Sequence, residues 1–310
     1  MIHSKRNTST FILSVFGMVV FCGLLLVISY NIAIEDKHLI WGILITLGLL
    51  CFCFIGLYKY FLFSVPIVLD SHQIAFGKRK YPLSEIQHLK LTGSQSHASG
   101  WIQGQTEGAE IAFKNGEKRF IIDRMYKEPG ELKTFLEALL ITNQAINYQK
   151  VKPINHTELK DHFIVFDYFK GSTLFSFRGL SFWGIMLAFI FMFYANPMRH
   201  TDTVFVLFGL TPILYLIYGW MMHYFGLSDE YLIIKNHLFF WQKKVFRLND
   251  VREIAFTYSH DKGPYNCTII TKDLNSRSFR AGSLSKKNWQ AFKAQLEAQG
   301  IPVRVEINLN

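Results

Sequence analysis

Four long stretches without a charged side chain constrain this chain more than any other feature. They are residues 11–34 (FILSVFGMVVFCGLLLVISYNIAI), 39–58 (LIWGILITLGLLCFCFIGLY), 179–198 (GLSFWGIMLAFIFMFYANPM) and 203–222 (TVFVLFGLTPILYLIYGWMM). About 20 apolar residues cross a hydrocarbon layer about 30 Å thick. The pattern therefore predicts four transmembrane helices in two hairpins, at 1–63 and 178–224. The hairpin turns, Glu35–His38 and Arg199–Asp202, hold one Lys or Arg each, whereas Lys5, Arg6, Lys59, Lys170 and Arg178 flank the outer ends. By the positive-inside rule both chain termini and both long polar segments are expected on the cytoplasmic side. The first apolar run exceeds the length of a cleaved signal segment, so it is read as a retained helix. None of the four runs carries Asp, Glu, Lys or Arg. Ion and proton pathways use such groups at mid-membrane, which argues against transport by this chain alone.

The net charge is +10, but it is thinly spread: Lys and Arg number 14 against 12 Asp and Glu over 64–170, and 13 against 8 over 225–310. An excess of that size suits life beside an anionic leaflet and is too dispersed for a nucleic-acid footprint.

Outside the apolar runs the chain repeats itself. The stretches YPLSEIQHLKL (81–91) and FRLNDVREIAF (246–256) agree in kind at most positions. Each reads as a strand ending at Leu83 or Leu248, a polar turn (Ser84-Glu85, Asn249-Asp250), and a new strand entering at Ile86 or Val251. Around the first corner PIVLD, QIAFG, HLKL, AEIAF and RFIID read as strands, with the Asn115-Gly116 pair marking a hairpin. Around the second, YLIIK, HLFFW, KVFRL, REIAF, CTIIT and RSFRA do the same, and IPVRVEI is a further strand candidate. Each set leads into a helix, one with Leu132, Phe135, Leu136 and Leu139 on a face, the other with Trp289, Phe292 and Leu296. The expected organisation is a duplication: hairpin 1–63, domain 64–145, linker 146–177, hairpin 178–224, domain 225–310.

A hairpin followed by LSDEYLIIKNHLFFWQKKVFRLNDVREI (227–254) resembles the bacterial pleckstrin-homology-like domains of membrane proteins, and LDSHQIAFGKRKYPLSEIQHL (69–89) is similar to a shortened version. The resemblance implies a bent seven-stranded sheet with a C-terminal helix, used for binding rather than chemistry, in a multi-pass bacterial inner-membrane protein. His237 stands where that family places Gly in a tight turn, and Asn236 is expected to take the left-handed conformation instead.

In the wider fold, basic residues near a strand pair hold lipid phosphates. The resemblance therefore implies anionic-lipid contact by Lys78, Arg79 and Lys80 and by Lys243, Lys244 and Arg247, set against solvated turns or topology signals. Trp101, in the polar loop 94–104, is a candidate contact with a protein partner. The segment His156–His162 gathers imidazoles and carboxylates but spaces its histidines onto different helical faces, a poor metal site. No G-x-S-x-G, GK[ST] or H-E-x-x-H motif occurs. The expected protein is thus a non-enzymatic scaffold or accessory subunit without cofactor or metal, partnered by the bilayer, by anionic headgroups or by another protein. A membrane-embedded enzyme or transport component with a site between hairpins and domains is the alternative.

Overall fold

The computed structural model describes residues 1–9, 64–96, 105–144, 148–154, 164–195, 211–258 and 265–307, together with scattered positions between 12 and 58. The chain divides into two compact units, Met1–Trp101 with Thr106–Ile146, and Ile102–Gln105 with Asn147–Asn310.

In the first unit β1 (Ile2–His3), β2 (Ile67–Leu69), β3 (Gln73–Phe76) and β4 (Arg79–Pro82) form an antiparallel sheet in that order. Strands β5 (Ile86–Lys90), β6 (Ser94–Ser96) and β8 (Lys118–Ile122) all join β7 (Gln105–Phe113) in a second sheet. Helix α1 (Pro129–Glu137) follows, with Pro in its first turn, where a missing N–H costs nothing.

The second unit contains β9 (Asp167–Phe169), α2 (Phe177–Ala195), α3 (Thr211–Gly219), β10 (His223–Leu227), β11 (Tyr231–Asn236) and β12 (Lys243–Arg247), the strands forming a sheet ordered β12-β11-β10-β9. Then come β13 (Val251–Tyr258), β14 (Tyr265–Thr271), β15 (Ser276–Arg280), α4 (Lys286–Ala298) and β16 (Val303–Val305). These strands form a second sheet ordered β15-β14-β13-β16, with β16 parallel to β13. Ser285 caps α4, its Oγ accepting from Asn288 N at 3.2 Å.

The two units repeat one another in backbone detail. Leu83–Glu85 and Leu248–Asp250 are both single 3₁₀ turns entered and left through extended residues. Leu83 N donates to His72 O and Leu248 N to Glu230 O. The strand after each corner carries a bulge at the same place, between Ile86 and His88 and between Val251 and Glu253. A bulge bends its strand, so each corner turns the chain from one sheet into the next. The hairpin turns match as well: Gly116 has φ +81°, and at the corresponding place Leu274 has φ +59°. The repeat also begins earlier than the expected domain starts at 64 and 225. Strand β1 pairs with β2 across the stretch 4–66, just as β9 pairs with β10 across the stretch that contains α2 and α3.

The expectation of two transmembrane hairpins is corrected. Among the described residues no helix is long and apolar enough to cross a membrane. With it go the multi-pass inner-membrane placement and the assigned sidedness of the termini. The fourth apolar run shows why its hydropathy misleads. Helix α3 ends at Gly219. Met222 and His223 already belong to the sheet region, Met222 bridging Ala281 and His223 opening β10. Met222, read there as the end of a span, is instead buried. Most of the runs 11–34 and 39–58, like residues 196–210, lie outside the described residues.

The core of the second unit gathers Phe225, Leu232, Ile234, Phe246, Ile254, Phe256, Cys267, Ile269, Trp289, Phe292 and Leu296. Its sheet keeps a smaller cluster on the opposite face, where Ile154, Ile164 and Phe166 cover Ile233 and Val245. The strap bearing Ile154 is fastened by hydrogen bonds: Val151 N donates to Asp273 Oδ2 at 2.9 Å, Asn275 Nδ2 to Tyr148 Oη at 3.1 Å, and Ile154 N to Val245 O at 3.0 Å.

Candidate functional site

The six cations singled out in the sequence do not form two equivalent patches. In the first unit Lys78 follows Gly77, whose φ of +61° makes the tight turn between β3 and β4. Arg79 opposes Phe76 and Lys80 opposes Ala75, and successive strand residues point to opposite faces. Arg79 pairs with Glu117 at 3.1 Å, and that carboxylate also accepts from Arg119, whose guanidinium in turn donates to Tyr81 Oη at 2.9 Å. Two of the three cations therefore stand on opposite faces, and one is neutralised by a carboxylate.

In the second unit the same alternation sends Lys243, Val245 and Arg247 to one face and Lys244 and Phe246 to the other. Lys243 and Arg247 flank the strap-covered cluster. Lys244 instead leans over the buried ring of Phe279, with Nζ 5.5 Å from its centroid. Facing it from β15, the Arg277 guanidinium lies 6.0 Å from the Phe246 centroid, and the two rings are 6.4 Å apart. Arg280 is stacked over Trp220 at 4.9 Å. Burial lowers the Lys244 pKa, and the charge of Arg277 lowers it further.

Between β11 and β12 the run HLFFW is not a strand but the tip of a hairpin. Asn236 is not left-handed. It closes the turn with its side chain: Oδ1 accepts from Leu238 N and Phe239 N, both at 2.9 Å, while Nδ2 donates to Gly219 O at 2.7 Å. Tyr215 Oη donates to Leu238 O at 2.9 Å. Phe239 is buried against Gly219, where an added Cβ would come within 2.5 Å of the ring. So anchored to the end of α3, the tip holds its two remaining rings outward, Phe240 at 76% and Trp241 at 62% exposure. Trp220, Leu216 and Ile217 on and after α3 are exposed too.

Beside the tip His237 packs at a tilt on Tyr224 at a centroid distance of 4.4 Å, and its buried Nε2 has no hydrogen-bond partner. Burial, with a smaller contribution from Lys170, pushes its pKa down to about 4. A depressed histidine pKa costs stability when the unfolded chain binds protons the folded one refuses. Stability is thus expected to fall as pH drops from about 6.5 towards about 4. His237→Asn removes that slope, measurable as urea midpoints at successive pH values.

The tip joins exposed apolar surface to cations in one place. An amphipathic indole suits a boundary between water and an apolar phase, and nearby cations draw it to a negative one. Sequence reasoning passed over Phe240 and Trp241 because it spent them on a strand. The signal was there, since three consecutive aromatics between two alternating strands cannot all face inward. Arg277 and Arg280 carry no such signal; only the fold brings Arg277 near Lys244 and Arg280 over Trp220. Trp101 and the segment His156–His162 lie outside the described residues. Among the described residues no three His, Cys, Asp or Glu side chains are grouped to hold a metal. No protein-family model matches the chain, and no curated protein matches its sequence.

Proposed function

We propose that the chain is a non-enzymatic binding protein built from two copies of one pleckstrin-like unit, and that the second unit docks on an anionic phospholipid surface through the hairpin tip 237–244. The observation that carries this reading is the pair Phe240 and Trp241, held outward by a buried neighbour and four hydrogen bonds, with Lys243 and Lys244 two and three residues beyond Trp241. The shared corner, bulge and closing helix support the pleckstrin-like assignment of both units.

Magnitudes say which part of the tip matters most. Burying about 100 Å² of each ring contributes roughly 2.5 kcal/mol apiece at about 25 cal/mol per Å². Each lysine near an anionic surface adds only about 1 kcal/mol and is screened by salt. Phe240→Ser with Trp241→Ser is therefore expected to weaken binding more than Lys243→Gln. The test is flotation of the full chain with phosphatidylcholine vesicles, with and without phosphatidylglycerol. Wild type floats with the anionic vesicles and the double serine variant stays in solution. If wild type stays behind, or the variant floats equally well, the reading is wrong.

A further inference from the structure

The two units differ at one sheet edge. In the second, β13 lies between β14 and the closing strand β16, whereas its counterpart β5 pairs with β7 alone among the described residues. The bond into each corner, Lys114 N to Glu85 O and Lys272 N to Asp250 O, both at 2.9 Å, and the shared bulge set Leu89, Lys90 and Leu91 at the places of Ile254, Ala255 and Phe256. Ile254 N donates outward to Pro302 O, and Phe256 O accepts from Glu306 N, both at 2.9 Å. By the same alternation the amide of Leu89 and the carbonyl of Leu91 face away from β7, with no strand bonded to them among the described residues. Burial agrees: Ile254 and Ala255 are fully buried, whereas Leu89 is half-buried and His88 and Lys90 are exposed.

The chain after each helix explains the difference. Helix α4 is followed by left-handed Gly300 (φ +75°), from which the chain turns back into β16. The turn that prolongs α1, Ala138–Thr142, also ends at a left-handed residue, Asn143 (φ +49°), yet the chain beyond it supplies the strap of the second unit, bonded at Val151 and Ile154. The first unit thus uses as a connection the segment with which the second closes its own edge. An exposed strand edge is a template for pairing, and an extended segment can add to it as a further strand.

We propose that β5 takes up an extended peptide of a protein partner, laid parallel to it as β16 lies on β13, with an acidic residue opposite Lys90 between two β-branched apolar residues. The second unit supplies the template. Val303 and Val305 pair with Ile254 and Phe256, and Arg304, opposite Ala255, forms an ion pair with Glu253 at 2.8 Å on the other face. In the first unit His88 stands at the place of Glu253 and Lys90 at that of Ala255, so the same position of an added strand calls for a negative charge. Lys90 does face one carboxylate across the ladder, Glu110, but Glu110 is bonded to Lys118 at 2.6 Å, which leaves two lysines to one carboxylate at these positions. The β5 strand of a second copy could not supply the missing charge, because Ile86–Lys90 contains no acid. The site lies in the first unit and is independent of lipid docking by the second.

The test uses the full chain and two fluorescent peptides, residues 300–308 as they stand and the same peptide with Arg304→Glu, followed by anisotropy. The Arg304→Glu peptide should bind wild type saturably and about 5-fold or more tighter than the unaltered one, the effect of exchanging like charges for opposite ones across a strand pair. Lys90→Glu should reverse that order. Leu89→Pro removes the outward N–H without touching a bond to β7, and should abolish binding of both peptides while the unit stays folded. Near-UV circular dichroism checks the fold of each variant, and if Leu89→Pro proves unfolded the charge reversal in Lys90→Glu decides alone.

Preference for the acidic peptide in wild type, reversed in Lys90→Glu, would establish the edge as the site. Binding of neither peptide, equal binding of both, or a preference that Lys90→Glu leaves unchanged would overturn the proposal. So would self-association of wild type in analytical ultracentrifugation that Leu89→Pro abolishes, because the edge would then be occupied by a second copy.

Discussion

Replacing Lys133 by methionine is expected to destabilise the first unit by about 3–5 kcal/mol, because it strands a carboxylate inside the protein. Lys133 lies on α1 with no solvent exposure, and its Nζ is 2.8 Å from Asp123 Oδ2, itself only 5% exposed. Asp123 belongs to a 3₁₀ turn at the end of β8 and cannot withdraw without dragging that strand. Removing one partner of a buried pair is costly, whereas removing both is often close to neutral. Lys133→Met with Asp123→Ala should therefore recover most of the loss. The second unit illustrates the apolar alternative. Strand register puts Ile122 opposite Gly108 and Arg280 opposite Asn266, so the residue after each strand is Asp123 in one unit and the buried Ala281 in the other. Native-state hydrogen exchange at the Ile121 and Ile122 amides reads the effect within the first unit. Unchanged protection in the single variant would show that the pair is not buried as described.

Trp289→Ala is expected to cost the second unit about 3–5 kcal/mol through the cavity it leaves. The indole is fully buried on α4 and packs on Phe225, Phe256, Tyr265 and Phe292, at centroid distances of 5.7, 4.7, 5.9 and 6.5 Å. These rings come from β10, β13 and β14 as well as α4, so one side chain ties the helix to both sheets. Its Nε1–H finds no acceptor. Trp289→Phe therefore gives up volume but no hydrogen bond, and its cost should be only about 1–2 kcal/mol. Exchange at the Ile269 amide distinguishes the two variants. Equal losses for alanine and phenylalanine would mean that the indole ring is not the keystone of this core.

The sequence carries some of this architecture plainly. Leu83 and Leu248 announce the corner because a short polar pair between two alternating strands has few other conformations. The helical faces Leu132-Phe135-Leu136 and Trp289-Phe292-Leu296 coincide with the buried residues of α1 and α4. Other features are not local. Lys133 looks like an exposed position on an amphipathic helix until Asp123, ten residues earlier, is brought beneath it. Leu274 performs the turn that Gly116 performs, yet a leucine at positive φ gives no turn signal. Strands β1 and β9, of two and three residues, are too short for any period to register. The fourth apolar run misled because hydropathy averages over 20 residues and cannot see that Gly219 stops a helix or that His223 starts a strand. The candidate site fell between these cases: Lys244 was legible, but its partner Arg277 is brought near only by the fold.

Quenching of tryptophan fluorescence by vesicles of brominated phosphatidylglycerol tests tip docking most directly, comparing wild type with Trp241→Phe. The account predicts strong quenching in wild type, a marked loss of it in the variant, and little in either protein with neutral brominated phosphatidylcholine. Equal quenching in wild type and variant, or none in wild type, would contradict it.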